Sequence, residues 1–344
     1  MTDLYALGLG VGTHNRNGEW LEVFYPQPLL NPSPAITKAI ADTLDYSGGN
    51  QAIVIKSGSL EALSTALEAA GSSDQAAIVN SFRHSKRPLV ASLLANDSAP
   101  SSVPEGYLKL HLLSHRLVKP HGTVLDGLFS ILPNVAWTNQ GAVDLAELPE
   151  RQLKARLNNE LLEVDCVDKF PKMTNYVVPT GVRIADTARV RLGAYLGAGT
   201  TIMHEGFVNF NAGTEGPSMV EGRISAGVFV GKGSDLGGGC STMGTLSGGG
   251  NMVIAVGDEC LLGANAGIGI PLGDRCTVEA GLYITAGTKV AVLDDPGQRV
   301  ESVKARELAG KSDLLFRRNS VTGAVECKTN QSAIALNQEL HTNN

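Results

Sequence analysis

Through the second half of the chain, apolar residues return every six positions. Val178, Ile184, Val190, Leu196, Ile202 and Val208 share one register, and all are aliphatic. Ile224, Val230 and Leu236 take up a second register, whose phase returns at Ile254, Cys260, Ala266, Leu272, Val278, Ile284 and Val290. Small residues fill the positions between, as in Leu196-Gly197-Ala198-Gly199-Thr200-Thr201. A hexad of this kind predicts a parallel β-helix, with one aliphatic side chain per face directed into a narrow core and small residues at the tight corners. The count breaks at Asn209–Met219 and again at Thr242–Met252, and both stretches read as loops leaving the coil.

Ahead of the repeat the pattern is mixed. Leu4–Leu7 and Trp20–Tyr25 flank Asn15-Arg16-Asn17-Gly18, a hairpin signal. Gly8, Gly10 and Gly12 lack the full spacing and the following helix of a nucleotide loop, so they read as a glycine-rich strand end. Ser33 and Pro34 suit the cap and first position of a helix. A strand at Ala52–Ile55 follows, then helices from Ser59 and from Ser73, and a fourth helix through Val90, Leu93 and Leu94. Ala99–Pro104 reads as a loop and Tyr107–Leu117 as a helix. His111 and His115 stand one turn apart there, but with no Glu between them and no third ligand they read as packing or surface residues rather than a metal site. Leu148–Leu162 reads as a charged helix and Val167–Met173 as a hinge. Beyond the coil come a turn at Asp294–Gly297, a strand at Ala324–Lys328 and a helix at Ala333–Leu340. The expected division is an α/β domain over 1–165, the coil over 166–293 and a small C-terminal domain over 294–344.

Composition adds limits. The 344 residues allow two or three domains. The 40 glycines exceed ordinary usage, and the excess falls in the repeat. A net charge of −6 argues against nucleic acid as a partner. The pattern holds neither a membrane-length apolar run nor a signal peptide. Cys166, Cys240, Cys260, Cys276 and Cys327 form no C-x-x-C pair, which suits reduced thiols of a cytoplasmic protein.

A packed coil cannot hold its chemistry inside, so outer faces and inserted loops must carry it. Glu205, Glu215 and Glu221 flank the first break. Glu221 opens Glu221-Gly222-Arg223 between glycine-rich runs, and a carboxylate beside a guanidinium can orient an amine or act as a base. Three copies of Glu205 around a threefold axis could hold Mg²⁺ or Ca²⁺; the alternative is an acidic ring relieved by water. Lys304, Arg306, Arg317 and Arg318 suit the phosphates of coenzyme A or form a solvated basic patch.

Several long runs resemble the tetrahydrodipicolinate N-succinyltransferases, in the longer bacterial branch of that family. They are Met203–Thr214, Val220–Ser225, Gly237–Gly250, Leu314–Ser320 and Leu108–Leu117, and the resemblance covers essentially the whole chain. It implies a left-handed parallel β-helix, a homotrimer with clefts between subunits, and transfer of succinyl from succinyl-CoA to the amine of L-2-amino-6-oxopimelate. It implies Glu221 as the catalytic carboxylate, acting through an acyl-anhydride or beside direct amine attack. Succinyl-CoA contacts carry over to Gly222, Arg223, Gly238, Ser241, Ala264, Glu279, Ala280, Gly287, Lys304, Arg317, Arg318, Asn319 and Ser320. Glu205 matches a carboxylate that binds Mg²⁺ near the trimer axis, and Ala188 stands where some members supply a second acidic ligand. Other coil acyltransferases use a His base, and a γ-type carbonic anhydrase needs three His ligands. This coil carries only His204. A trimeric scaffold without catalysis is the remaining alternative.

Overall fold

The computed structural model describes residues 3–244, 252–293 and 297–329. The chain divides into two compact units. One comprises Met1–Val118, Gly122–Pro171 and Asn175–Val177; the other comprises Lys119–His121, Lys172–Thr174 and Val178–Asn344.

In the first unit the strands Ala6–His14 and Trp20–Phe24 pair antiparallel around the Asn-Gly turn. Leu89–Leu94 lies on the other side of Ala6–His14 and carries Gln51–Val54 at its far edge. Leu89–Leu94 is therefore a strand, not the fourth helix that its spacing suggests. All six of its residues are buried, and a strand covered on both faces has no alternation to separate it from a helix. The helices Pro34–Thr43, Leu60–Ala69 and Ser73–Phe82 form as expected, and Ser33 caps the first by accepting from Ile36 N–H. Ile40, Leu63, Leu67 and Val79 from these helices share one core with Leu7, Leu9 and Leu93. The glycines of the first strand are structural. A Cβ on Gly8 would meet the ring of Tyr25 at 2.5 Å, and the Tyr25 hydroxyl is fixed by Ser92 and the Pro104 carbonyl.

The helix Val103–Ser114 starts before Tyr107 because Pro104 fits the first turn. Glu105 accepts from Ser101 N–H and from the Ser101 and Ser102 hydroxyls, which closes the helix start. Val167 and Asp168, expected in a hinge, belong to the strand Val164–Asp168, which pairs with Val135–Thr138. Gly141–Asp144 completes that small sheet. The charged helix runs Leu148–Leu157.

The second unit is mostly parallel sheet. The chain passes in turn through three sheets, and each rung stacks on the one before. Ile184, Ile202, Val220, Leu236, Leu262, Val278 and Phe316 form one such column. Leu196, Thr214, Val230 and Val256 form a second. Val208 stacks on Ile224 in the third sheet, where Thr242, Ile268 and Ile284 follow. The hexads thus mark the coil, with corrections. Val178 is exposed rather than inward. Asn209–Met219 does not leave the coil: Ala212–Thr214 and Ser218–Val220 are rungs of it. The register slips instead between Val220 and Ile224. Past the glycine-rich sequence the stacked residues are Val256, Leu262 and Ile268. Cys260 and Ala266, read as rung positions, are buried corner residues beside them. A second four-residue step, from Ile268 to Leu272, restores the phase of Val278, Ile284 and Val290.

Past residue 297 the strand Arg299–Lys304 folds back antiparallel on Lys289–Leu293. Leu314–Arg318 then extends the first column against Thr277–Val278 and makes a hairpin with Val325–Thr329. The expected helix Ala333–Leu340, residues 245–251 of the second break and residues 294–296 of the expected turn lie outside the described residues. Among the described residues no helix is long and apolar enough to cross a membrane.

His111 is fully buried and not a metal ligand. One ring nitrogen lies 2.7 Å from Tyr107 O and the other accepts from Tyr25 N–H. Burial pushes its pKa down to about 3 from an ordinary 6.5. The unfolded chain therefore takes up a proton near pH 6.5 that the folded chain refuses. Stability is full above that pH and falls as the pH drops toward 3, by up to ~1.4 kcal/mol per pH unit from this group. Thermal melts from pH 8 to pH 5 will show the loss, and His111→Gln will flatten that slope while lowering stability at pH 8.

Candidate active site

Corner lengths set the site. Between the Thr200–Ile202 and Phe207–Val208 strands the corner takes Met203, His204, Glu205 and Gly206. Between Asp235–Leu236 and Ser241–Thr242 it takes Gly237, Gly238, Gly239 and Cys240. The corner stacked between these two holds only Glu221 and Gly222. This is the register slip. The short corner is set back between two longer ones, and it leaves a notch with Glu221 at its floor. The backbone holds it on both sides. Glu221 N–H donates to Leu236 O at 2.8 Å, Gly239 N–H donates to Glu221 O at 3.1 Å, and Phe207 N–H donates to Gly222 O at 3.0 Å.

The same ladder aligns other expected site residues. Gly237, Gly263 and Glu279 repeat the bond that Glu221 makes, donating to Leu262, Val278 and Phe316 carbonyls. One residue further on, Gly238, Ala264, Ala280 and Arg318 follow one another along the corner, one per rung, while Gly222, on the short corner, stacks on Cys240. Three of these four have no side chain beyond a methyl, so the column leaves a groove in which backbone is accessible, at partly exposed Gly238 and exposed Ala264 and Ala280, whereas Gly222 is buried. A Cβ on Gly222 would lie 2.3 Å from Cys240 Sγ, so that contact tolerates nothing larger. A Cβ on Gly238 would have only Glu221 Oε2 nearby, at 3.4 Å, which places the carboxylate over the Gly238 backbone.

Arg223 and Ser241 are register partners on the next face, and Arg223 Nη2 donates to Ser241 Oγ at 2.7 Å. The guanidinium is thus held one residue from Gly222. Cys240 lies against the same notch, but burial pushes its thiol up to about 12. It stays protonated and is no nucleophile.

At the far end of the groove, Arg318 N–H donates to Glu279 Oε2 at 2.6 Å, which ties the hairpin to the corner column. Arg317 points its Nε at Glu326 Oε2, 3.0 Å away, and Asn319 Nδ2 donates to Glu326 Oε1 at 2.7 Å. Asn319 first, and Arg317 after it, hold the Glu326 carboxyl below the usual carboxylate range. Asn319 Oδ1 accepts from Val321 and Thr322 N–H, which shapes the turn that exposes Ser320. Lys304 and Gly287 come together through backbone bonds: Ala305 N–H donates to Thr288 O and Arg306 N–H to Ala286 O. Glu326 was not expected from the sequence. Its signal is the hairpin register, which sets it opposite Arg317.

Two carboxylates stand apart from the notch. Glu215 is ion-paired with Lys119 at 2.8 Å. Glu205 is largely exposed with His204 Nδ1 3.2 Å away, while the Arg189 guanidinium donates to its backbone carbonyl. Among the described residues no group of three His, Cys, Asp or Glu could hold a metal ion within one chain. Ala188 contributes no donor side chain beside it.

Comparison with known proteins agrees with this architecture. Residues 132–172 match a family model described as the middle region of tetrahydrodipicolinate N-succinyltransferase, and 253–286 match one for the hexapeptide repeat of succinyl-transferase. A 2,3,4,5-tetrahydropyridine-2,6-dicarboxylate N-succinyltransferase of Pseudomonas putida is 71% identical over 99% of both chains. The Vibrio cholerae protein of that name is 62% identical, again over 99% of both. A crystal structure from Campylobacter jejuni, assigned as a 2,3,4,5-tetrahydropyridine-2-carboxylate N-succinyltransferase, superposes with a TM-score of 0.88 at 32% identity, covering 97% of this chain and 94% of that one. With a hexad coil, a glycine-lined corner and full-length identity of this order, the chain belongs to the tetrahydrodipicolinate N-succinyltransferase family.

Proposed function

We propose that this protein transfers the succinyl group of succinyl-CoA to the amine of L-2-amino-6-oxopimelate, the opened form of tetrahydrodipicolinate. The products are N-succinyl-2-amino-6-oxopimelate and coenzyme A, a step of lysine and diaminopimelate biosynthesis. The observation that carries this reading is the set-back corner: one carboxylate, Glu221, at the floor of a notch that opens onto a groove of small residues.

In this reading the thioester arm of succinyl-CoA lies along Gly222, Gly238, Ala264 and Ala280, where little side chain obstructs the backbone. Arg223, fixed by Ser241, holds the succinyl carboxylate. Exposed Lys304 and Arg318, with Arg317, meet the phosphates at the other end, beside Gly287, Asn319 and Ser320. Glu326 grips Arg317 and Asn319 from behind, so both are pre-set before ligand arrives. The acceptor amine attacks the thioester carbonyl, a C–N bond forms, the C–S bond breaks, and the amine proton passes by way of Glu221 to the departing thiolate, which leaves as coenzyme A. The alternative route places succinyl on Glu221 first, as an anhydride, before the amine takes it. We further propose that the coil is left-handed and that three chains assemble with the groove at a subunit cleft. Mg²⁺ at the axis of such a trimer would draw on Glu205 of each chain, one carboxylate per copy, and serve assembly rather than the reaction.

A thiol-release assay with succinyl-CoA and the pimelate acceptor tests the assignment, and absence of release with every acceptor would overturn it. Glu221→Gln will lower kcat by about 10²–10⁴-fold, whereas His204→Ala will leave most activity. The opposite order would point to a histidine base. Intact-mass analysis after mixing with succinyl-CoA alone separates the two routes, since only the anhydride route adds a succinyl group to the protein.

The glycines of the groove respond differently. Gly222→Ala will cost about 1–3 kcal/mol of stability through its clash with Cys240. Gly238→Ala will leave the melting temperature nearly unchanged but lower kcat, because the added methyl would sit against the Glu221 carboxylate, 3.4 Å from Oε2, where the substrate must approach it. Glu326→Gln will raise KM for succinyl-CoA several-fold with kcat nearly unchanged.

A further inference from the structure

The first unit holds a cavity of about 280 Å³ whose lining includes none of the residues assigned above to the transfer reaction. Its lining joins three aromatic rings, Phe24, Trp137 and Tyr176, to two carboxylates, Glu22 and Asp165, and one guanidinium, Arg87. Rings and carboxylates together are the chemistry that receives an ammonium group. The guanidinium is the chemistry that receives a carboxylate.

Glu22 is the centre of this arrangement. Its side chain is only 7% exposed, so its charge is costly unless donors reach it. Thr13 Oγ1 donates to Oε1 at 2.6 Å and the Tyr176 hydroxyl to Oε2 at 3.1 Å. Each carboxylate oxygen keeps a second acceptor position. Arg87 stops short of closing the pair: its Nη1 is 3.9 Å from Glu22 Oε1 and donates instead to Thr13 Oγ1 at 3.3 Å. The opposite charges therefore form a long ion pair bridged by the Thr13 hydroxyl, and stand side by side at a spacing close to that between the ammonium and carboxylate of one α-amino acid. Burial pushes the Glu22 carboxyl above the ordinary range, opposed by the Thr13 and Tyr176 bonds and by Arg87, and a bound cation would act in the same direction as those three.

We propose that this cavity binds a free α-amino acid, its ammonium on Glu22 among the three rings and its carboxylate on Arg87. The ligand's side chain would extend along Val11 and Phe24, both of which line the cavity. Its lining shares no residue with the Glu221 corner, and the proposal does not depend on the succinyl-transfer reading.

The test is calorimetry on the full-length protein, without succinyl-CoA, against each of the twenty standard L-amino acids up to millimolar concentration. At least one should bind with one site per chain. Glu22→Gln and Arg87→Met should each weaken it about tenfold or more, as loss of a hydrogen bond to a charged group predicts, while thiol release measured without amino acid stays at the wild-type level. Arg87 has a mostly exposed side chain, so Arg87→Met decides the matter if Glu22→Gln does not fold. The proposal is overturned if no amino acid binds, if binding survives both substitutions, or if Glu221→Gln abolishes it while Arg87→Met does not.

Discussion

Every feature of the second unit depends on one constraint: each rung must set its N–H groups under the carbonyls of its neighbours. A parallel ladder of this kind fixes what lies above what, but it does not fix how many residues lie between. Ile202 and Val220 are paired across eighteen residues, Val220 and Leu236 across sixteen, and Leu236 and Leu262 across twenty-six. The pairing continues through all three. Length differences fall between the paired residues, so a corner can shorten at Glu221 without disturbing the aliphatic stack inside. The groove and its notch are the outward record of those adjustments.

This also explains what the sequence could and could not reveal. A six-residue spacing of Val, Ile and Leu is a direct image of the stack, so the coil was legible. Its phase was less so, because a coil buries a second, smaller residue near each corner. Cys260 and Ala266 are as buried as Leu262 and Ile268, each two residues further on, and counting alone cannot rank them. The stretch before Glu221 looked like a loop because Thr214 stands at a stack position where an aliphatic was expected. Thr214 is fully buried, and its hydroxyl is satisfied by Thr200. Pairing partners far apart in sequence were invisible: nothing near Arg317 announces Glu326 until the hairpin register is known. Leu89–Leu94 failed for a related reason, since a strand covered on both faces shows hydrophobicity without period.

The first unit follows a different logic, in which polar groups are buried and answered. Lys109 is fully buried on the helix Val103–Ser114, yet its ammonium meets Asp97, whose carboxylate also accepts from Thr123 Oγ1 and Val124 N–H. Such pairs add little net stability over apolar packing, but removing one partner leaves a stranded charge. His111 is kept neutral by the same enclosure. The arrangement ties the helix to one register against Tyr25 and the glycine strand, which a purely apolar helix face would not do.

The C-terminal hairpin has a consequence beyond the ligand it is proposed to meet. A parallel coil that simply stopped at Thr277–Val278 would present a row of open N–H and C=O groups, a template on which another chain could continue the stack. Leu314–Arg318 occupies that row, and Val325–Thr329 then runs antiparallel to it. The coil's growing end is thereby turned into a charged strand pair carrying Arg317, Arg318, Glu326 and Lys328. The same residues that shape the end of the groove also close the open strand edge of this column.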